Sequence, residues 1–120
     1  MSAESTYSQT LSSDSTLNGI ISDRIYPVKF PQNVAYPSLM YRVEADIDGL
    51  LDVSSNPSGV FDFENTFNCS SYSQVIAITE ALKNICSVND WNISHFIDND
   101  YNENTQTFSR TLNIIINSNL

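Results

Sequence analysis

A chain of 120 residues with 14 acids against 5 bases carries a formal net charge of −9 and has room for one domain, residues 1–120. Hydrophobic residues make up 41% and charged residues only 16%, a balance that supports a core and argues against disorder. The acid excess excludes a basic face that could grip nucleic acid by its phosphates.

From the N-terminus, Ser5 to Leu17 reads as a weak helix with Tyr7, Leu11 and Leu17 near one face. Ser13 and Asp14 offer a cap for a second short turn, expected to stop near Asn18-Gly19. Pro27, Pro31 and Pro37 then make an extended, edge-like passage, since prolines this dense suit neither a helix nor a central strand. From Ser38 the chain alternates, with Leu39, Tyr41, Val43 and Ala45 on one face and Met40, Arg42, Glu44 and Asp46 on the other, as in a half-buried strand. Asp46 to Ser58 is a breaker-rich loop, longer than a plain hairpin turn. A second strand follows, with Phe61, Phe63, Phe67 and Cys69 inward; Asn65 interrupts that row, which suggests a bulge there.

Ser70 to Ser73 supply a cap for the clearest helix, Gln74 to Cys86, whose Val75, Ile78, Leu82 and Ile85 form an apolar stripe. Lys83 and Asn84 are expected in its last turn, where a positive charge suits the helix dipole. Trp91, Ile93, His95 and Ile97 alternate on a third strand. Asp98 to Asn104 is a polar turn, and the final strand, Thr107 to Asn117, places Phe108, Arg110, Leu112, Ile114 and Ile116 on one side. The expected fold is α+β: an antiparallel sheet of about four strands, one long amphipathic helix on one face and a short N-terminal helix.

Few residues suggest chemistry. His95 is the sole histidine, and Asp98, three residues on, falls on the opposite strand face, so no triad or zinc spacing is present. Cys69 precedes a helix N-terminus but has no neighbouring base, and reads as a structural thiol. Cys69 and Cys86 flank a helix too long for a disulfide to bridge, and two reduced thiols fit a cytoplasm. Asp98, Asp100 and Asn102 alternate like calcium ligands, but the run lacks the glycine and the closing glutamate of a calcium loop. Gly19, Gly49 and Gly59 cannot build a phosphate loop. No apolar run approaches the ~20 residues of a membrane span, and Met1 to Ser15 lacks the pattern of a signal peptide. No cofactor, metal or catalytic residue is nominated, and an enzyme is not expected.

The segment Asp23-Arg24-Ile25-Tyr26-Pro27-Val28-Lys29-Phe30-Pro31-Gln32, followed by Tyr36-Pro37-Ser38-Leu39-Met40-Tyr41, resembles the phage tail completion family, small proteins related to tail terminators and tail-to-head joining proteins of long-tailed phages. The family's N-terminal helix, its turn into the long helix (here Phe67 to Gln74) and its last strand (here Phe108 to Ile114) occur in the same order. The chain departs from it in its Asn and Ser richness, and in Phe61-Asp62-Phe63 where a basic residue is common.

The resemblance implies a structural virion protein of the tail neck, assembled in the host cytoplasm. Such proteins form a homo-oligomeric ring, typically a hexamer, that ends tail-tube polymerisation and docks to the head connector while DNA passes through the channel without specific binding. The tail tube protein and the connector proteins are the implied partners. A head-completion stopper, another neck adaptor or an unrelated protein-binding module is the alternative. A ring interface is heterologous, and edge strands and long loops are natural joining surfaces. The loop residues Asp46, Asp48, Asp52 and Asn56 are the candidate contacts with a neighbour or the tube.

Overall fold

The computed structural model describes residues 3–46, 59–98 and 101–118. Two short helices, α1 (Ala3–Ser13) and α2 (Ser15–Ile21), lead into β1 (Ile25–Pro27) and β2 (Ser38–Asp46). Then come β3 (Gly59–Cys69), α3 (Tyr72–Asn89), β4 (Asn92–Asp98) and β5 (Phe108–Ser118). The five strands form one sheet in the order β1-β2-β3-β5-β4. The α+β class holds, with five strands where four are expected. The fifth is the proline passage itself, which pairs parallel to β2 from Ile25 opposite Leu39 to Pro27 opposite Tyr41. All other pairings are antiparallel. Because β5 lies between β3 and β4, the unit β3-α3-β4 is a split βαβ that lays α3 across one face.

That inner face carries the core. Leu39 and Tyr41 of β2, Phe61, Phe63, Phe67 and Cys69 of β3, and Leu112, Ile114 and Ile116 of β5 are buried against Val75, Ile78, Leu82 and Ile85 of α3. The N-terminal helices add Tyr7, Leu11, Leu17 and Ile21. Asp14 caps α2 by accepting from the Leu17 amide. The helix runs on through Gly19, which lies in open space, and stops at Ser22 with φ 58°. The expected glycine stop is therefore displaced by three residues, since Ile20 and Ile21 continue an apolar face worth covering.

The long helix also outruns its expected end. Ser71 caps it by accepting from the Gln74 amide, and Gln74 accepts in return from the Ser70 amide. It ends at Asp90 in the left-handed conformation, with the Trp91 amide also bonded to the Cys86 carbonyl. Lys83 is thus mid-helix, paired with Glu80 at 3.6 Å, and the last turn holds no base.

Two bulges set the faces. One lies between Val43 and Asp46 on β2, so the strict alternation ends before Ala45. The other lies between Ile93 and His95 on β4. It inverts the strand beyond it: Phe96 faces Leu112 and Asp98 faces Arg110, on the inner side, whereas Ile97 pairs with Thr111 on the outer side. Ile97 therefore does not share the face of Ile93, contrary to the simple alternation.

Asn65 is not a bulge. It stays in register between Tyr41 and Leu112, fully buried in the inner row. Its Nδ2 donates to the Phe63 and Leu112 carbonyls, and its Oδ1 accepts from the Tyr7 hydroxyl at 2.5 Å. Tyr7 stacks on Phe63 with centroids 4.2 Å apart and meets Tyr41 edge-on. One hydroxyl thus pins α1 to the centre of the sheet. Replacing Tyr7→Phe keeps the ring and strands a buried acceptor, a loss of about 1–3 kcal/mol. Chemical denaturation is expected to show that loss, whereas an exposed Thr6→Val control stays within about 0.5 kcal/mol.

Candidate assembly surface

The loop residues singled out by sequence fall largely outside the described residues: Asp48, Asp52 and Asn56 do, and Asp46 closes β2 with its backbone opposite Phe61. The His95 backbone lies opposite Asn113, and Asp98 lies opposite Arg110 three residues on. Cys69 and Cys86 are both free and buried, and burial pushes their thiols up to about 12 and about 11. Neither can be a thiolate nucleophile near neutrality. In the calcium-like run, Asp98 is taken by Arg110. Asn102 accepts from the Asn104 and Thr105 amides, a turn closed on itself. No cluster of metal-ligating side chains occurs among the described residues, and no helix there is long and apolar enough to cross a membrane. A groove of about 400 Å³ between α1 and α3 is lined by Gln9, Thr10, Asn84 and Val88, and its one acid, Asp14, already caps α2.

The strongest polar feature is Arg110, placed by the β5 alternation on the inner face among apolar neighbours. Its side chain is only 5% exposed. Nε and Nη2 donate to the two carboxylate oxygens of Asp98 at 2.5 and 3.2 Å, a bidentate pair. Nη1 donates to the Thr79 hydroxyl at 2.9 Å and Nη2 to the Tyr72 hydroxyl at 3.2 Å. The guanidinium also lies 4.6 Å from the Phe96 ring centroid. Thr79 in turn donates to the Val75 carbonyl, within α3. A cation committed on every side has no capacity for catalysis; it ties β4 and the first turns of α3 to β5. The sequence places Arg110 in the inward row of the last strand but does not show its partner. Asp98 reaches the same face only through the β4 bulge, which no residue type around Ser94 announces.

Against this clamp sit Tyr72 and Phe96, and Tyr101 lies beyond, 4.7 Å from Phe108 by ring centroids; each of the three is nearly half exposed. Ile97 projects from the outer side of the same strand, 56% exposed. This edge strand carries large apolar residues on both faces and no Lys or Pro, and its defences against pairing are the bulge at Ile93/His95 and the inward carboxylate of Asp98. Clustered exposed apolar side chains beside such an edge mark an interaction surface. Besides Ile97 and Ile115, the outer face carries polar pairs: Asn113 donates to Asp62, Thr66 meets Thr111, and Arg42 pairs with Glu64 at 3.2 Å.

The Arg110 guanidinium holds the Asp98 carboxyl below its ordinary value of 3.8, by hydrogen bonding first and charge second. A lowered carboxylate value contributes stability that is complete above pH 3.8 and is lost as the pH falls through the folded-state value. Asp98 is half exposed, so solvent screening keeps the contribution small. Asp98→Asn is expected to flatten the acid limb of the stability–pH curve below pH 3.8 and leave its shape above pH 5 unchanged, as read by urea midpoints. The thiol prediction is simpler. Ellman's reagent labels neither cysteine in the native chain and both after unfolding.

No family model matches this sequence, and no curated protein sequence matches it. Among solved structures, the fold is similar to a chain in the virion of a native gene transfer agent particle, with a TM-score of 0.57. The match covers 89% of this chain and 87% of that one at 13% sequence identity, a likeness of fold from end to end.

Proposed function

We propose that this chain is a structural virion protein that forms a hexameric ring at the head-proximal end of a phage tail. The ring ends tube polymerisation and joins the tail to the head connector around an open DNA channel. The observation that carries the reading is the likeness, across nearly the whole length of both chains, to a component of a virion. The Arg24-Ile25-Tyr26-Pro27 run that carries the family resemblance supports it with a structural role for each part. Arg24 donates to the Pro37 carbonyl at 2.8 Å, and Ile25 to Pro27 form the parallel edge strand.

The chemistry suits a passive part. The Arg110 ion pair is spent on packing, and the thiols are buried. The composition suits a channel as well: a net charge of −9 repels phosphates, and the one base on the outer sheet face, Arg42, is paired with Glu64. In this reading the Asp46 to Ser58 loop, with Asp48, Asp52 and Asn56, reaches a neighbouring subunit or the tube below.

Assembly without the chain tests the role. Particles produced with this gene deleted, viewed by negative-stain electron microscopy, are expected to show intact heads and separate tails of variable, excessive length. Tails of regular length still joined to heads would overturn the reading.

A further inference from the structure

We infer that the ring contact joins the β1 edge of one copy to the β4 edge and aromatic patch of the next, head to tail. This rests on the ring reading above. The two edges of the sheet lie about 19 Å apart, four strand spacings of ~4.8 Å, and they differ in kind.

The β1 edge is closed to strand pairing. The parallel register turns the Arg24 carbonyl and the Val28 amide toward β2, where they bond Leu39 and Tyr41. The outward groups of Ile25 and Pro27 are nearly spent. The Ile25 amide donates to the Asp23 carbonyl, Pro27 has no amide proton, and its carbonyl accepts from the Lys29 amide at 2.8 Å. A strand laid there would find one carbonyl, that of Ile25. Immediately beyond, Val28 is held at φ 74° and is 63% exposed. A β-branched residue in the left-handed region is a strained position, held only where the surroundings enforce it. The β1 edge therefore offers an apolar knob with no hydrogen-bonding ladder. The β4 edge offers exposed apolar side chains instead, Phe96 and Ile97 on the strand and Tyr101 beyond it.

Charge is divided the same way. Residues 23–44 hold three bases, Arg24, Lys29 and Arg42, and two acids, Asp23 and Glu44. Residues 90–107 hold four acids, Asp90, Asp98, Asp100 and Glu103, and no Lys or Arg. Arg42 is paired with Glu64 and Asp98 with Arg110 within the chain. That leaves Arg24 and Lys29 against Asp23 beside β1, and Asp90 and Glu103 on either side of β4. A copy of this strongly acidic chain meets charge of opposite sign when the first edge is set against the second. Such a contact is heterologous, so it closes into a ring when the rotation per copy divides the circle. The closed β1 ladder keeps the junction to side chains and prevents an open, continuous sheet.

Because Cys69 and Cys86 are buried, introduced surface cysteines are the reactive ones, and cross-linking reads the contact directly. Full-length chains carrying Val28→Cys or Ile97→Cys are treated with a short bismaleimide, alone and mixed, beside native mass measurement of the unsubstituted protein. The expected result is a covalent dimer only in the mixture, and a ladder ending at the ring size for the doubly substituted chain. Dimers from Ile97→Cys alone would reveal a two-fold β4 contact and overturn the inference, as would rings by native mass with no cross-link in any mixture. An unsubstituted protein that stays a single copy at all concentrations would instead remove the ring reading itself.

Discussion

One covered sheet face governs this structure. Five strands present a buried row of Phe, Leu and Ile on one side, covered among the described residues by α3 and two short N-terminal helices. Burial of that face is the main stabilising force, and it fixes which residue of every strand points inward. The two polar residues that fall in the inner row, Asn65 and Arg110, are tolerated because each is nearly saturated with partners. They also do what apolar residues cannot. Asn65 fixes the position of α1 through the directional bond from Tyr7, and Arg110 fixes β4 and the start of α3 to β5.

The remainder of the surface follows from leaving the other face open. Its Thr, Asn and paired Arg42–Glu64 side chains need no cover. A single-faced sheet keeps two edges, and edges must be managed. Here β1 is closed by Pro27 and its neighbours, while β4 is bulged and exposes Phe96 and Ile97. A molecule with one blunted and one receptive side is suited to assembly with a defined direction, which is what a ring of identical copies requires.

Much of the fold was legible because it rests on period. The α3 stripe, the inward rows of β3 and β5, and the Tyr7–Leu11–Leu17 face follow from spacing alone and recur in the buried set. Features set by tertiary contact were not. The β4 bulge that turns Asp98 toward Arg110 has no local signature. Asn65 looked like an interruption because its partner lies 58 positions earlier in the chain. The αL cap at Asp90 and the helix through Gly19 show apolar coverage overriding the usual punctuation by glycine. β1 was hidden by its prolines, which mark an edge but do not say whether it pairs. For the assembly surface, sequence pointed to the loop from Asp46 to Ser58, whereas the exposed aromatic patch needed the fold, since Tyr72 and Phe96 meet at Arg110 and Tyr101 joins them through Phe108.

The account makes this chain a directional building part whose chemistry is spent on holding its own shape. Its central claim is a place: the junction between tail and head. A reconstruction of the intact particle by electron cryomicroscopy, at a resolution that traces the chain, tests that place most directly. The account predicts one ring of this fold between tube and connector, with β1 of each copy facing β4 of the next. Density for the chain elsewhere in the particle, or none at all, would contradict it.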